Sequence, residues 1–281
     1  MTRTKISLSL AAVAVLAIGA GCAGSKSNAT KVIDNTESQN AGKTLAASVE
    51  DTANALGPAD QGAAFAGSNN CYTLSGDTSD TDGDHIPANA TITFTNCTKT
   101  APNVTYVLNG TETVKDDEPT TPAFAFTLGI DGTLVSTAAN ATGTVHRTGS
   151  IVGSVPTAGT YQLAHDRHTD ENAQGGGQTF TATEDYTLTT QYTPTGAWTP
   201  GQPAVGGTYS VDGTWNATVQ GASADATVAT TTALTLDPAC DTHVTAGSIT
   251  ATFDGPNATR TLTVTWTACG ARTVTYSETP H

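Results

Sequence analysis

Positive charge, aromatic rings and helix-forming residues are all scarce in this chain. Lys and Arg number 11 against 25 Asp and Glu, a formal net charge of -14. That balance excludes nucleic acid as a partner and excludes electrostatic attraction to anionic lipid. Aromatics make up 6% and are scattered, so the girdles of a transmembrane β-barrel are missing. Met occurs once and Leu, Lys and Arg are few, which speaks against a helical fold. No C-x-x-C or His/Cys spacing suggests zinc. Gly149-Ser150-Ile151-Val152-Gly153 lacks the nucleophile-elbow spacing, and neither a P-loop nor a dinucleotide fingerprint occurs. No catalytic residue is assigned, although a sheet can bring distant carboxylates together.

Threonine is abundant. It fills about a fifth of the chain, and its β-branched side chain favours strands. Charged residues are only 13%, so hydroxyls must keep the surface soluble. An all-β fold follows. Eight Asn-x-Thr triplets occur, among them Asn89-Ala90-Thr91; a Thr-rich chain with Asn turns produces them by chance.

The N-terminus starts with Arg3 and Lys5, followed by a small-apolar run from Ile6 to Gly21 and then Cys22. The run is the length of a signal core and too weakly apolar for a spanning helix, which needs about 20 strongly apolar residues. Gly19-Ala20-Gly21-Cys22 resembles the lipobox of bacterial lipoproteins, with Gly19 where an aliphatic residue is usual and Ile18 one place early. The resemblance implies a signal peptide over 1–21, acyl chains on Cys22 and a stable membrane anchor. Ala23, in place of Asp, implies sorting to the outer membrane, facing the periplasm or the cell surface. An ordinary signal cleaved after Ala20 or Ala23 is the alternative. Residues 22–40 are polar and unpatterned and read as a tether; 41–281 read as one β domain.

Cysteine arithmetic agrees with the anchor. With Cys22 set aside, Cys71, Cys97, Cys240 and Cys269 form an even set, as a disulfide framework in an exported protein requires. Of three pairings, Cys71–Cys97 and Cys240–Cys269 are the local choice, each worth roughly 3.5 kcal/mol by loop closure.

Leu45, Val49 and Leu56 recur near helical spacing and Gly57-Pro58 stops them, so one short helix is expected over 41–57. From Thr91 onward the period is two. Thr91–Thr95, Phe124–Ile130 and Thr261–Thr267 alternate apolar with polar residues, the pattern of an antiparallel sheet with one solvated face. Asn109-Gly110, Asp131-Gly132, Asp212-Gly213 and Asp254-Gly255-Pro256-Asn257 read as turns. The expected fold is a single large antiparallel meander of about 10–11 strands. It would form a curved half-barrel with the helix on its concave side, a closed barrel, or a sandwich. Half-barrels of this kind can carry acyl ligands.

The sharpest motif is Asp80-Thr81-Asp82-Gly83-Asp84-His85-Ile86-Pro87. Alternating carboxylates at Asp80, Asp82 and Asp84 suit calcium, which takes six to eight oxygens. The stretch resembles the calcium repeats of thrombospondin type 3, which implies a backbone carbonyl ligand at Ile86. His85 stands where glycine is usual, Ala88 where a further Asp is usual, and Thr91 where an EF-hand has its closing Glu; Asp77 could replace a missing ligand. A solvated acidic loop is the other reading.

Two further stretches carry chemistry-bearing residues. In His165-Asp166-Arg167-His168-Thr169-Asp170-Glu171, the residues Asp166, His168 and Asp170 would share one face if extended, a possible transition-metal set, or simply the polar end of a long hairpin. Trp198 sits among Pro and Gly, either exposed to touch a ligand or folded back on its own sheet.

Overall fold

Twelve strand runs follow one another along the chain, and each pairs with the next. The computed structural model describes residues 46, 71–84, 86–101, 104–121, 123–198, 205–220, 222–240, 243–254 and 257–281. The strands are β1 (Tyr72–Asp77), β2 (Asn89–Ala101), β3 (Val104–Asp116), β4 (Phe126–Ala138), β5 (Ala141–Thr157) and β6 (Thr160–Gly175). They continue as β7 (Gln178–Pro194), β8 (Gly207–Val219), β9 (Ala222–Leu236), β10 (Val244–Asp254), β11 (Ala258–Ala268) and β12 (Ala271–Pro280). Spatial order equals sequence order in one open antiparallel sheet, a half-barrel meander with β1 and β12 at its edges. Eleven of the strands lie within the region read as strands from sequence. β1 lies before the region expected to be strand; it is a six-residue edge strand, exposed throughout, whose short Tyr72-Thr73-Leu74-Ser75 alternation ends at Gly76.

The inner face is the apolar one. Cross-strand rows run the width of the sheet; one joins Val114, Leu128, Ile151, His165, Leu188, Gly213, Val228, Ala251 and Leu262 through successive registers. Most of its members are buried in a single core cluster. Leu262, Val264 and Trp266, read from the clearest alternation, are all buried. Ala46, the one described residue of the expected helix, is helical and fully buried in the same cluster. The rest of that helix, the signal, Cys22 and the tether lie outside the described residues.

Three expected turns are corrected. Asn109-Gly110, Asp131-Gly132 and Asp212-Gly213 sit inside β3, β4 and β8. Gly110 and Gly213 serve close approach of neighbouring strands instead of reversal, as Gly149 does in β5, whereas Gly132 has ordinary room for a side chain. At Gly149 and Gly213, φ is +148° and +154°, and a Cβ would run into the carbonyl oxygens of Asp166 and Thr187 on the neighbouring strands. Glycine lets adjacent backbones close up where the sheet curls. Asp212 is drawn into the sheet by accepting the Thr230 amide at 2.9 Å.

In a meander, alternate connections share an end. The loops 78–88, 117–125, 195–206 and 237–243 therefore gather at one end. There Trp198 folds back onto the core. Its ring meets those of Phe124, Tyr161 and Tyr192 at centroid distances of 5.6, 4.5 and 5.4 Å. Tyr192 donates its hydroxyl to the Val205 carbonyl at 2.6 Å, pinning the same loop. The disulfides are Cys71–Cys97 and Cys240–Cys269, the local pairing, with Cα separations of 5.1 and 5.5 Å.

Candidate metal centre

The β1–β2 loop is shaped by its own aspartates. Asp77 Oδ1 accepts the Ser79 amide at 3.0 Å and its hydroxyl at 2.6 Å. Asp80 Oδ1 accepts the Gly83 amide at 2.7 Å, Asp82 Oδ1 the Asp84 amide at 3.3 Å, and Asp84 Oδ1 the Ile86 amide at 2.8 Å. Short side chains bonding to backbone two or three residues on replace regular ladder bonds with a tight coil. Gly83 takes φ +85°, which glycine tolerates. The Ala88 amide closes the loop onto the Ser79 carbonyl at 2.8 Å.

Three contacts press this coil against the sheet. Ile86 is fully buried in the core. Thr81 donates its hydroxyl to the Pro119 carbonyl at 2.8 Å, tying the loop to the β3–β4 connection. The Asp116 amide reaches the Ala88 carbonyl at 3.3 Å.

The result is a convergence of charge. One carboxylate oxygen from each of Asp80, Asp82 and Asp84 lies within 4.8 Å of the others. Among the described residues this is the one group of three or more potential ligands held so closely. Asp84 is only 3% exposed, and the Oδ2 atoms of Asp82 and Asp84 are buried without a hydrogen-bond partner. Burial pushes the Asp84 carboxyl above its usual range; the Ile86 amide opposes this, and the charges of Asp82, Asp116 and Asp80 add to it. A buried, unpaired carboxylate oxygen is costly, and a divalent cation would remove both the repulsion and the missing partner.

Of the expected ligands, Asp80, Asp82 and Asp84 are brought together and Ile86 anchors the coil. Asp77 stands outside the converging set, its carboxyl held below the usual range by the Ser79 hydroxyl and then the Ser79 amide. Asp116, from the end of β3, lies outside the set expected from sequence. It is buried beside Asp84 and accepts the Glu118 amide at 2.8 Å. Only the β2–β3 pairing, which lays Asn89 against Lys115, brings it there.

The second acidic stretch splits across β6. Asp166, His168 and Asp170 do share a face, the solvated outer one. His168 bonds Asp185 at 2.5 Å through Nδ1 and Asp170 at 3.1 Å through Nε2. Both ring nitrogens are thus engaged by carboxylates. The alternate residues His165, Arg167, Thr169 and Glu171 face inward, a division the sequence carries in its alternation. His165 is 2% exposed, and its pKa is lowered to about 3 by burial and then by Arg167, so it is a neutral imidazole. The Arg167 guanidinium lies 5.3 Å over the Tyr186 ring, a cation–π contact. Burial raises the Glu112 carboxyl, and Arg167 opposes it. Glu171 is raised to about 7 by burial, then by Glu184, against Arg147.

No protein-family model, curated protein or solved structure matches this chain.

Proposed function

We propose that this chain is a lipid-anchored cell-envelope protein whose β domain is held rigid by calcium at Asp80, Asp82 and Asp84. The carrying observation is the pair of buried, partnerless Oδ2 atoms of Asp82 and Asp84 beside Asp80. Asp116 adds negative charge on the side of the sheet, and the Ile86 carbonyl and water would complete the shell. Three carboxylates short of a bidentate Glu suit a weak, extracellular-type affinity. The cation would stiffen the end of the sheet where the loops gather, a structural task and not a reaction.

Two disulfides support an oxidising, exported setting. The anchor in this reading is the lipid on Cys22. A role as carrier of an apolar ligand is less well supported. The inner face near the loops is filled by Phe124, Phe126, Tyr192, Trp198 and Trp266, leaving the aromatic end as packed core. Mass spectrometry of the mature N-terminus tests the anchor. Diacylated or triacylated Cys22 is expected; an unmodified Cys22 removes the anchor from the proposal.

A further inference from the structure

β12 is the last strand of the sheet, bonded to β11 on one side. Among the described residues no strand lies on its other side. Its residues are exposed or half-exposed from end to end. The register identifies the open backbone groups. His281 donates its amide to the Asn257 carbonyl across the β11 side. Antiparallel alternation then turns the amides of Thr273, Thr275, Ser277 and Thr279 toward β11, and those of Arg272, Val274, Tyr276 and Glu278 outward.

Natural sheets blunt such an edge with Lys, Pro, a bulge or an unpaired inward charge. Two of these devices bound the strand, Pro280 at its end on the outward side and an irregular register between Trp266 and Ala268 beside its start, and the stretch Arg272–Glu278 between them holds neither Lys nor Pro. Two charges of opposite sign, Arg272 and Glu278, are equidistant from Thr275 on the inner face; Glu278 Oε2 also accepts from Arg260 Nε at 3.3 Å and from the Tyr276 hydroxyl at 2.7 Å within its own chain, so a second copy would add to that pairing. Val274 and Tyr276 flank the same centre. The strand is therefore complementary to itself when reversed.

We propose that β12 is a dimerisation edge, pairing antiparallel with β12 of a second copy of this chain about a two-fold axis through Thr275. In that register Arg272 faces Glu278 of the second copy, Val274 faces its Tyr276, and Thr273 faces its Ser277. Four outward residues on each strand give about eight backbone hydrogen bonds. The axis is perpendicular to the sheet, so both inner faces stay on the same side and each contact occurs twice, as an isologous interface requires. Strand addition of this kind draws its affinity from the main chain and its register from the side chains.

The test uses the full chain, with the unsubstituted protein as the blank for its own thiols. Native mass spectrometry should give twice the chain mass. Thr275 meets its own copy at a non-hydrogen-bonded pair, where Cα atoms are about 4.5 Å apart, within disulfide reach. Thr275→Cys should therefore form a covalent dimer in air. Thr273→Cys should not, because it faces Ser277, whereas the Thr273→Cys/Ser277→Cys double variant should. Val274→Pro removes an outward amide without touching the β11 ladder and should return the mass to that of one chain. A single-chain mass for the unsubstituted protein overturns the proposal. So does cross-linking of Thr273→Cys as efficient as that of Thr275→Cys, or a Thr275→Cys protein that folds and stays uncrosslinked.

Discussion

The indole of Trp215 donates its Nε1 hydrogen to Oε1 of Glu184 at 2.5 Å, tying β8 to β7 on the inner face. Glu184 in turn sits beside Glu171 of β6, with Arg147 of β5 opposing their charge and Arg167 of β6 farther along the same face. Two carboxyls share one partly dry patch, and Glu171 holds its proton up to about pH 7.

That arrangement gives a pH dependence of definite sign. The folded pKa of Glu171 lies above its unfolded value near 4.5. Its contribution is fully present below pH 4.5 and is lost as pH rises through about 7. Glu171→Gln should therefore be more stable than the parent at pH 8, by about 2 kcal/mol after solvent screening, and nearly equal to it at pH 4. Urea melts followed by Trp fluorescence at the two pH values check this. An equal difference at both would contradict the assignment.

On the outer face the sign is shared but the site is wet. The Asp185 hydrogen bond raises the His168 pKa, with burial opposing and Asp170 adding to it. The stabilising pair is present below pH 6.5 and fades as pH rises through the raised value. Proton NMR of the His168 ring should show a midpoint above 6.5 that falls in Asp185→Asn. The change in stability should stay small, because the pair is exposed.

Trp198 closes the loop end of the core against Phe124, Tyr161 and Tyr192. Trp198→Ala should cost about 3–5 kcal/mol in denaturant unfolding, the usual price of an aromatic cavity. A loss below about 1 kcal/mol would mean the loop packs without it.

Much of this architecture is legible in the sequence. Strict alternation in Thr261–Thr267 and Phe124–Ile130 marks which face is buried, because side chains on a strand point to opposite sides with period two. The disulfide pairing followed from loop length. The mid-strand Asx-Gly pairs read as turns because glycine serves both purposes: at Gly110 and Gly213 it relieves close backbone approach between strands, while Gly132 simply continues β4. Asp116 was invisible because 31 residues of chain separate it from Asp84, 32 positions on, in numbering alone; only the β2–β3 register brings them together. The inward set of Arg167 and Glu171 was written in the alternation but hidden among outward charges of the same stretch.

In chelator, Asp84 would carry the cost of the acidic coil, since its ionised form is buried among like charges. Asp84→Asn should melt higher than the parent in chelator and lower than the parent in calcium. Differential scanning calorimetry under both conditions separates this crossing from a uniform loss of stability.

The most direct test of calcium at Asp80, Asp82 and Asp84 is the melting temperature of the full chain in millimolar calcium against chelator. A ligand at about 100 times its dissociation constant adds about 2.7 kcal/mol, a rise of about 5–10 °C for a domain of this size. The account predicts such a rise in the parent and none in an Asp82→Asn/Asp84→Asn variant. An unchanged melting temperature in the parent, or an equal rise in the variant, would contradict it.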